Sequence, residues 1–168
     1  LLYQHGGFAI GATRGDGAAG ENVTANLRTV GAIPLALAGD VIPPLLEVRG
    51  EVLMLKRDFE ALNAAQAARG EKLFANPRNA AAGGLRQLDA KVTASRRLAF
   101  YAYGIGDVKW GPIEPPATHD ALLLLLAGLR FPVTRERAVV RGLAGLLEYY
   151  RRMGERRDAL PFEIDGVV

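Results

Sequence analysis

The chain has 168 residues, 49% of them hydrophobic and 23% charged, which is enough to bury one real core and is far from the composition of a disordered or fibrous chain, so a single globular domain is expected. It contains no cysteine, which excludes a disulfide framework, a thiolate zinc site and a thiol nucleophile within these residues and suits a reducing, cytoplasmic location. Its net charge of +3 permits a polyanionic partner without demanding one, and its one strongly apolar run, Leu122 to Ala127, falls far short of the roughly 20 residues a bilayer requires, so no membrane partner is expected.

In chain order, Leu1 to Tyr3 and Phe8 to Thr13 read as a hairpin with Gly6 and Gly7 in its turn. A Gly-rich loop over residues 11–20 leads to a short helix from about Glu21 to Arg28. Over Leu45 to Leu55, Glu47, Arg49 and Glu51 share one face and Val48, Val52 and Met54 the other, the alternation of a half-buried strand with a polar working surface. Asp58 is placed to cap a helix from Phe59 to Ala68 that stops at Gly70. Leu98 to Tyr103 predicts an aromatic-bearing strand ending at Gly104. Helices are predicted over Thr118 to Leu129 and Gly142 to Arg157, and Phe162 to Val168 alternates again, with Glu163 and Asp165 on one face. Because strands and helices are not regularly interleaved, the fold class is α+β with an antiparallel-dominated sheet and flanking helices.

Two segments carry chemistry. Gly11 to Gly17 is glycine-dense, either an ordinary turn or a nest for phosphate. From Phe74 to Gln87, a run of small residues is flanked by Arg78 and Arg86; it reads either as a clamp on phosphate oxygens or as an Ala-rich helix with solvated arginines. Arginine dominates the basic residues, the only lysines being Lys56, Lys72, Lys91 and Lys109. Its planar fork suits phosphate, but it is no amine nucleophile at neutral pH. Genome composition accounts for the skew equally well. His5, in the hairpin turn, and His119, in a helix first turn, are the only histidines and are assigned no catalytic role.

With these blocks in place the chain resembles the adenylation domain of bacterial NAD-dependent DNA ligases. The matching stretches are Ala12 to Gly17 with Gly20 to Asn26, Leu46 to Glu51, Phe74 to Asp89, Phe100 to Gly104, Gly128 to Val133 as a variant, and Glu163 to Val168, in family order over essentially all 168 residues. Gly84 and Ala90 replace a common Ser and Pro, and Leu129 and Arg130 alter a Gly-Phe-Pro-Val block. An ATP-dependent ligase or RNA-capping relative would share the general fold but not the blocks around Ala12 to Gly17 and Asn76 to Asn79.

The resemblance implies the ATP-grasp-like nucleotidyltransferase fold and a three-step reaction on NAD and nicked double-stranded DNA. A lysine takes AMP from NAD, AMP passes to the 5′-phosphate of the nick, and the 3′-hydroxyl displaces it, serving DNA replication and repair. It implies Mg²⁺, with Mn²⁺ as a substitute, a monomer, and zinc only in a module beyond these residues. By resemblance, Glu51 contacts the ribose or orients a metal-bound nucleotide, Arg78 and Arg86 hold NAD or nick phosphates, and Tyr103 stacks on adenine. Arg157 lies near the nucleotide, and Asp165 supports catalysis and, with Glu51, binds metal. The bland alternatives are a surface ion pair of Glu51 with Arg49, a core position for Tyr103, and a solvated helix end for Arg157. The family's nucleophile lysine, in a Lys-x-Asp-Gly motif, is expected upstream of Leu1, and a second lysine just after Val168. Residues 1–168 are thus expected to be the domain core, incomplete at both ends, holding no catalytic lysine and inactive alone. The alternative is a catalytically incompetent module that binds nucleotide or DNA weakly.

Overall fold

A computed structural model describes residues 1–17, 19–39 and 41–168; Ala18, inside the predicted Gly-rich loop, and Asp40 lie outside the described residues. The fold is α+β, as the sequence predicts. Four strands, β1 (Leu2–Gln4), β2 (Gly7–Ile10), β3 (Leu45–Met54) and β4 (Leu98–Lys109), form one antiparallel sheet in the order β2-β1-β3-β4. Among the described residues six α-helices accompany it: α1 (Thr24–Leu27), α2 (Lys56–Ala68), α3 (Pro77–Leu85), α4 (Ala90–Ser95), α5 (His119–Gly128) and α6 (Gly142–Arg156). One face of the sheet, with Tyr3, Phe8, Leu46, Val48, Phe100 and Ala102, packs into a single core with Leu27, Ala80, Ala81, Leu123, Leu126 and Phe131. Among the described residues no helix is long and apolar enough to cross a membrane.

Several boundaries differ from the sequence reading. The hairpin turn is His5 and Gly6, not Gly6 and Gly7. Both have positive φ, 48° and 80°, as a two-residue turn matching strand twist requires, and Gly7 opens β2. β2 stops at Ile10 because the next residues close the Gly-rich loop on itself: the Thr13 N–H donates to the Glu21 carbonyl at 3.0 Å, and Ala12 bridges Asn22. Glu21 and Asn22 are thereby withdrawn from the predicted helix, which shrinks to α1, the Asn22 carboxamide oxygen accepting from the Thr24 N–H at 3.0 Å.

Asp58 does not cap α2. The helix begins earlier because the Pro161 carbonyl accepts the Lys56 N–H at 2.9 Å, satisfying a first-turn donor without a polar side chain. Asp58 sits inside the first turn, 3.6 Å from both Arg57 and Arg97. The predicted stop at Gly70 holds: φ is +67°, and the N–H groups of Gly70 and Glu71 return to the carbonyls of Ala67 and Gln66. The short helix α4, capped by Asp89, has no counterpart in the sequence reading.

β4 runs five residues past its predicted end at Gly104, and two register shifts interrupt its pairing with β3. At the first, Gly106 and Asp107 oppose Glu47, and the Glu47 carboxylate accepts the Asp107 N–H at 3.3 Å; a side chain at Gly106 would overlap that carboxylate. At the second, Tyr103 is extra, since Arg49 pairs with Gly104 and Gly50 with Ala102.

α5 lies one residue inside its predicted bounds at each end, because Thr118 stands outside the helix and caps it by accepting the Ala121 N–H at 3.1 Å. α6 ends one residue early, and Arg157 opens a 3₁₀ turn over Arg157–Ala159. Only Met153 of α6 is buried. Leu143, Leu146, Leu147 and Tyr150 stay exposed, while Arg156 pairs with Glu136 at 3.1 Å and the Tyr149 hydroxyl donates to the Glu136 carbonyl at 2.8 Å. Residues 162–168 pair with no strand among the described residues, so their period-two pattern is that of an extended segment rather than of the predicted β-strand.

Candidate functional site

The open face of the sheet carries the polar row expected from β3. Glu47, Arg49 and Glu51 point away from the buried Leu46, Val48 and Met54. The Glu47 carboxylate accepts from Arg49 Nε at 3.0 Å. That hydrogen bond is the main cause holding its carboxyl below the ordinary value, with the Asp107 N–H adding to it against partial burial. Arg49 therefore pairs with Glu47 and not with Glu51, whose carboxylate has no ion-pair partner among the described residues. The surface-pair alternative for Glu51 is set aside.

Glu51 is positioned by its neighbour Gly50. A Cβ at position 50 would overlap the Phe100 ring and come within 2.6 Å of the Tyr101 carbonyl, so only glycine lets β3 lie this close to β4. Glu51 pairs across the ladder with Tyr101, and the Tyr101 ring meets Phe162 with centroids 5.3 Å apart at 52°. That contact lays the 162–165 segment along the end of the sheet. Arg157 Nη2 donates to the Ile164 carbonyl at 3.0 Å, and Lys56 Nζ to the Asp158 carbonyl at 2.9 Å, tying the same segment to α2 and the 3₁₀ turn.

The result is a concavity of about 260 Å³ whose wall includes Glu51, Met54, Arg78, Phe162, Glu163 and Asp165. Arg78 Nη1 and Asp165 Oδ2 lie 3.2 Å apart, with side chains 73% and 95% exposed. A pair that open contributes little to stability and separates readily when a competing anion or cation arrives. Arg78 stands at the start of α3, where Asn76 caps by accepting the Asn79 N–H at 2.8 Å and Pro77 takes the first helical position.

Arg86 is elsewhere. It follows the last residue of α3, eight positions beyond Arg78 and so about 12 Å further along the helix axis. It lines a second, more open hollow of about 430 Å³ with Thr13, Gly15, Gly20 and Glu21, and its Nε lies 3.2 Å from Glu21 Oε2. The glycines there are required by close approach: a side chain at Gly15 would overlap the Ala19 carbonyl, and one at Gly20 the Thr13 carbonyl.

Of the residues singled out by the resemblance, Glu51, Arg78 and Asp165 share one hollow, Arg86 faces another, and Tyr103 lines neither. Tyr103 is not a core residue: it is 54% exposed on the same sheet face as Glu51. Arg157 reaches the concavity only through the Ile164 carbonyl. None of Lys56, Lys72, Lys91 and Lys109 lines either hollow. Among the described residues no group of three or more His, Cys, Asp or Glu is gathered to hold a metal.

Sequence reasoning missed the buried polar contacts behind Arg86. Asn26 Nδ2 donates to both the Gln87 carbonyl and Thr93 Oγ1 at 2.8 Å, and Thr93 donates to the Gly84 carbonyl at 2.9 Å. Asn26 stood inside a recognised block, but nothing about Thr93 announced a partner 67 positions away. It also missed Phe162, whose spacing from Tyr101 carries no local signal.

The order of these elements, the paired arginines of α3 and the polar face of β3 agree with one further finding: the family model of the NAD-dependent DNA ligase adenylation domain matches residues 1–168, and the chain belongs to that family.

Proposed function

We propose that the Glu51–Asp165 concavity holds the adenylate half of NAD during lysyl-AMP formation, and that the Arg86 hollow holds a second phosphate, that of NAD or of the nicked DNA, in a ligase that seals nicks. The observation that carries this reading is the meeting of Glu51, Arg78 and Asp165, which span 114 positions of sequence, around one hollow.

In this reading Glu51, an unpaired carboxylate, accepts a hydroxyl of the ribose. Arg78, at the positive end of α3, offers its guanidinium to a phosphate oxygen and leaves Asp165 as it does so. The Tyr103 ring supplies a flat apolar surface for adenine at low ordering cost. Glu51 and Asp165 offer hard oxygen donors suited to Mg²⁺, which takes one or two carboxylates and completes its shell with substrate phosphates and water. When bound there it would neutralise phosphate charge as the amine attacks. Arg86 exchanges Glu21 for its phosphate in the same manner.

The test uses the intact protein that carries this domain. Formation of the AMP adduct from NAD, read by intact-mass spectrometry, and sealing of a nicked duplex are compared for wild type, Arg78→Ala and Asp165→Asn. Loss of a group that stabilises developing charge is expected to slow the reaction by about 100-fold or more. Wild-type rates of both steps in both variants would overturn the reading.

A further inference from the structure

The second irregularity in β4 sets a problem for Tyr103. As the extra residue between two ladder pairs it has no partner on β3, its ring contacts no other aromatic, and its hydroxyl donates to no protein atom among the described residues. An exposed side chain on an unpaired residue would sample several orientations, each costing ordering entropy on binding. One interaction opposes this: His119 Nε2 lies 2.8 Å from the Tyr103 carbonyl oxygen. That oxygen can only accept, so Nε2 carries the proton and donates. His119 is itself held firmly. It is the first residue of α5, directly after Thr118, whose hydroxyl accepts the Ala121 N–H at 3.1 Å, and α5 buries Leu123 and Leu126 in the core. One residue earlier, the Ala102 N–H donates to the Pro132 carbonyl at 2.8 Å, so the strand is pinned on both sides of the Ala102–Tyr103 peptide.

We propose that His119 is a positioning residue for nucleotide binding: by capping the carbonyl of the bulged Tyr103 it fixes the tilt of that peptide and so the direction in which the tyrosine ring faces. The bulge leaves Tyr103 outside the regular ladder, and the imidazole selects one of the peptide tilts open to it. His119 touches no nucleotide and transfers no proton; it acts through Tyr103. The inference rests on the reading of Tyr103 as the adenine platform, and the experiment separates the two.

In the intact protein, with NAD as the probe, KM and kcat for AMP-adduct formation are measured for His119→Ala, His119→Gln, Tyr103→Ala and the double variant His119→Ala/Tyr103→Ala. Loss of one hydrogen bond is expected to raise KM for NAD about three- to tenfold in His119→Ala, with kcat and melting temperature near wild type. His119→Gln, whose amide can donate to the same carbonyl, is expected to recover most of the loss, and it keeps the test open should the alanine variant fold poorly. Tyr103→Ala is expected to raise KM about tenfold or more, and adding His119→Ala to it should raise KM no further. If Tyr103→Ala raises KM but His119→Ala does not, the positioning role falls and the platform reading stands. If Tyr103→Ala leaves KM unchanged, the platform reading falls and takes the proposal with it. If His119→Ala raises KM by the same factor with or without Tyr103, the imidazole acts elsewhere and the proposal is overturned.

Discussion

Asn26 gives the sharpest test of how the domain holds Arg86. Its side chain is 8% exposed overall and donates twice, to the Gln87 carbonyl and to Thr93 Oγ1, both at 2.8 Å; Thr93, 1% exposed, passes the contact on to the Gly84 carbonyl. Replacing Asn26 with Ala removes two hydrogen bonds and leaves a carbonyl and a hydroxyl oxygen short of a donor where water enters poorly. At about 1 kcal/mol per bond, plus part of the penalty for stranded acceptors, Asn26→Ala should cost about 2–4 kcal/mol. For a chain of this length that lowers Tm by about 4–16 °C. Asn26→Asp should cost at least as much, because a carboxylate turned toward the Gln87 carbonyl has no proton to offer. Thr93→Val keeps the shape and loses the hydroxyl, for about 1–2 kcal/mol. Urea unfolding followed by circular dichroism supplies the free energies, and the double variant should be less damaging than the sum of the singles by about 0.5 kcal/mol or more. An Asn26→Ala variant within about 0.5 kcal/mol of wild type would refute the reasoning.

Gly50→Ala should destabilise the β3–β4 pair by about 2 kcal/mol or more, since the new methyl meets both the Phe100 ring and the Tyr101 backbone and the strands must separate to admit it; an unchanged urea midpoint would count against the close approach. Glu47 is depressed chiefly by Arg49, so its stabilisation is present above the ordinary glutamate value of about 4.3 and is lost as pH falls through its lower folded value. Glu47→Gln should therefore be less stable than wild type at pH 7 and lose less stability on acidification from pH 5 to 3, and parallel acid profiles would show that the pair does nothing. Treated with NAD and Mg²⁺ and then digested, the intact protein should show no AMP on Lys56, Lys72, Lys91 or Lys109, which line neither hollow; a modified peptide containing any of them would relocate the nucleophile.

The polar face of β3 was legible because alternation reports which side of a strand meets solvent, and Glu47, Arg49 and Glu51 obey it. The α5 helix was legible because its leucines recur at three and four residues, although Thr118, read as its first residue, caps it from outside. What failed was non-local. Asp58 looked like a cap, but the Pro161 carbonyl, about a hundred positions distant, had already satisfied the helix start. Phe162 to Val168 carried a strand's alternation without a strand's partner, and alternation records exposure, not pairing. Gly104 looked like a stop because glycine usually weakens a strand, whereas here the irregular stretch of β4 runs from Tyr103 through the Gly106 cradle of Glu47.

The separation of Arg78 from Arg86 is likewise hidden from the sequence, because it follows from the geometry of α3. As a sequence, Asn76 to Gln87 is one block, and two arginines in one block suggest one clamp. As a helix it is a rod: small residues on one side let Ala80 and Ala81 sink into the core and Arg96 pass within 3.1 Å of where a side chain at Gly84 would stand. Close packing leaves such a rod little freedom to bend or slide. It carries one guanidinium at each end, and each rests on an exposed carboxylate, Asp165 or Glu21, from a different part of the chain. Eight helical positions set their backbones about 12 Å apart along the axis, so the two arginines reach different carboxylates and not one. The small residues of α3 thus serve packing: they fix where the helix, and with it the backbone of Arg78 and Arg86, lies against the core.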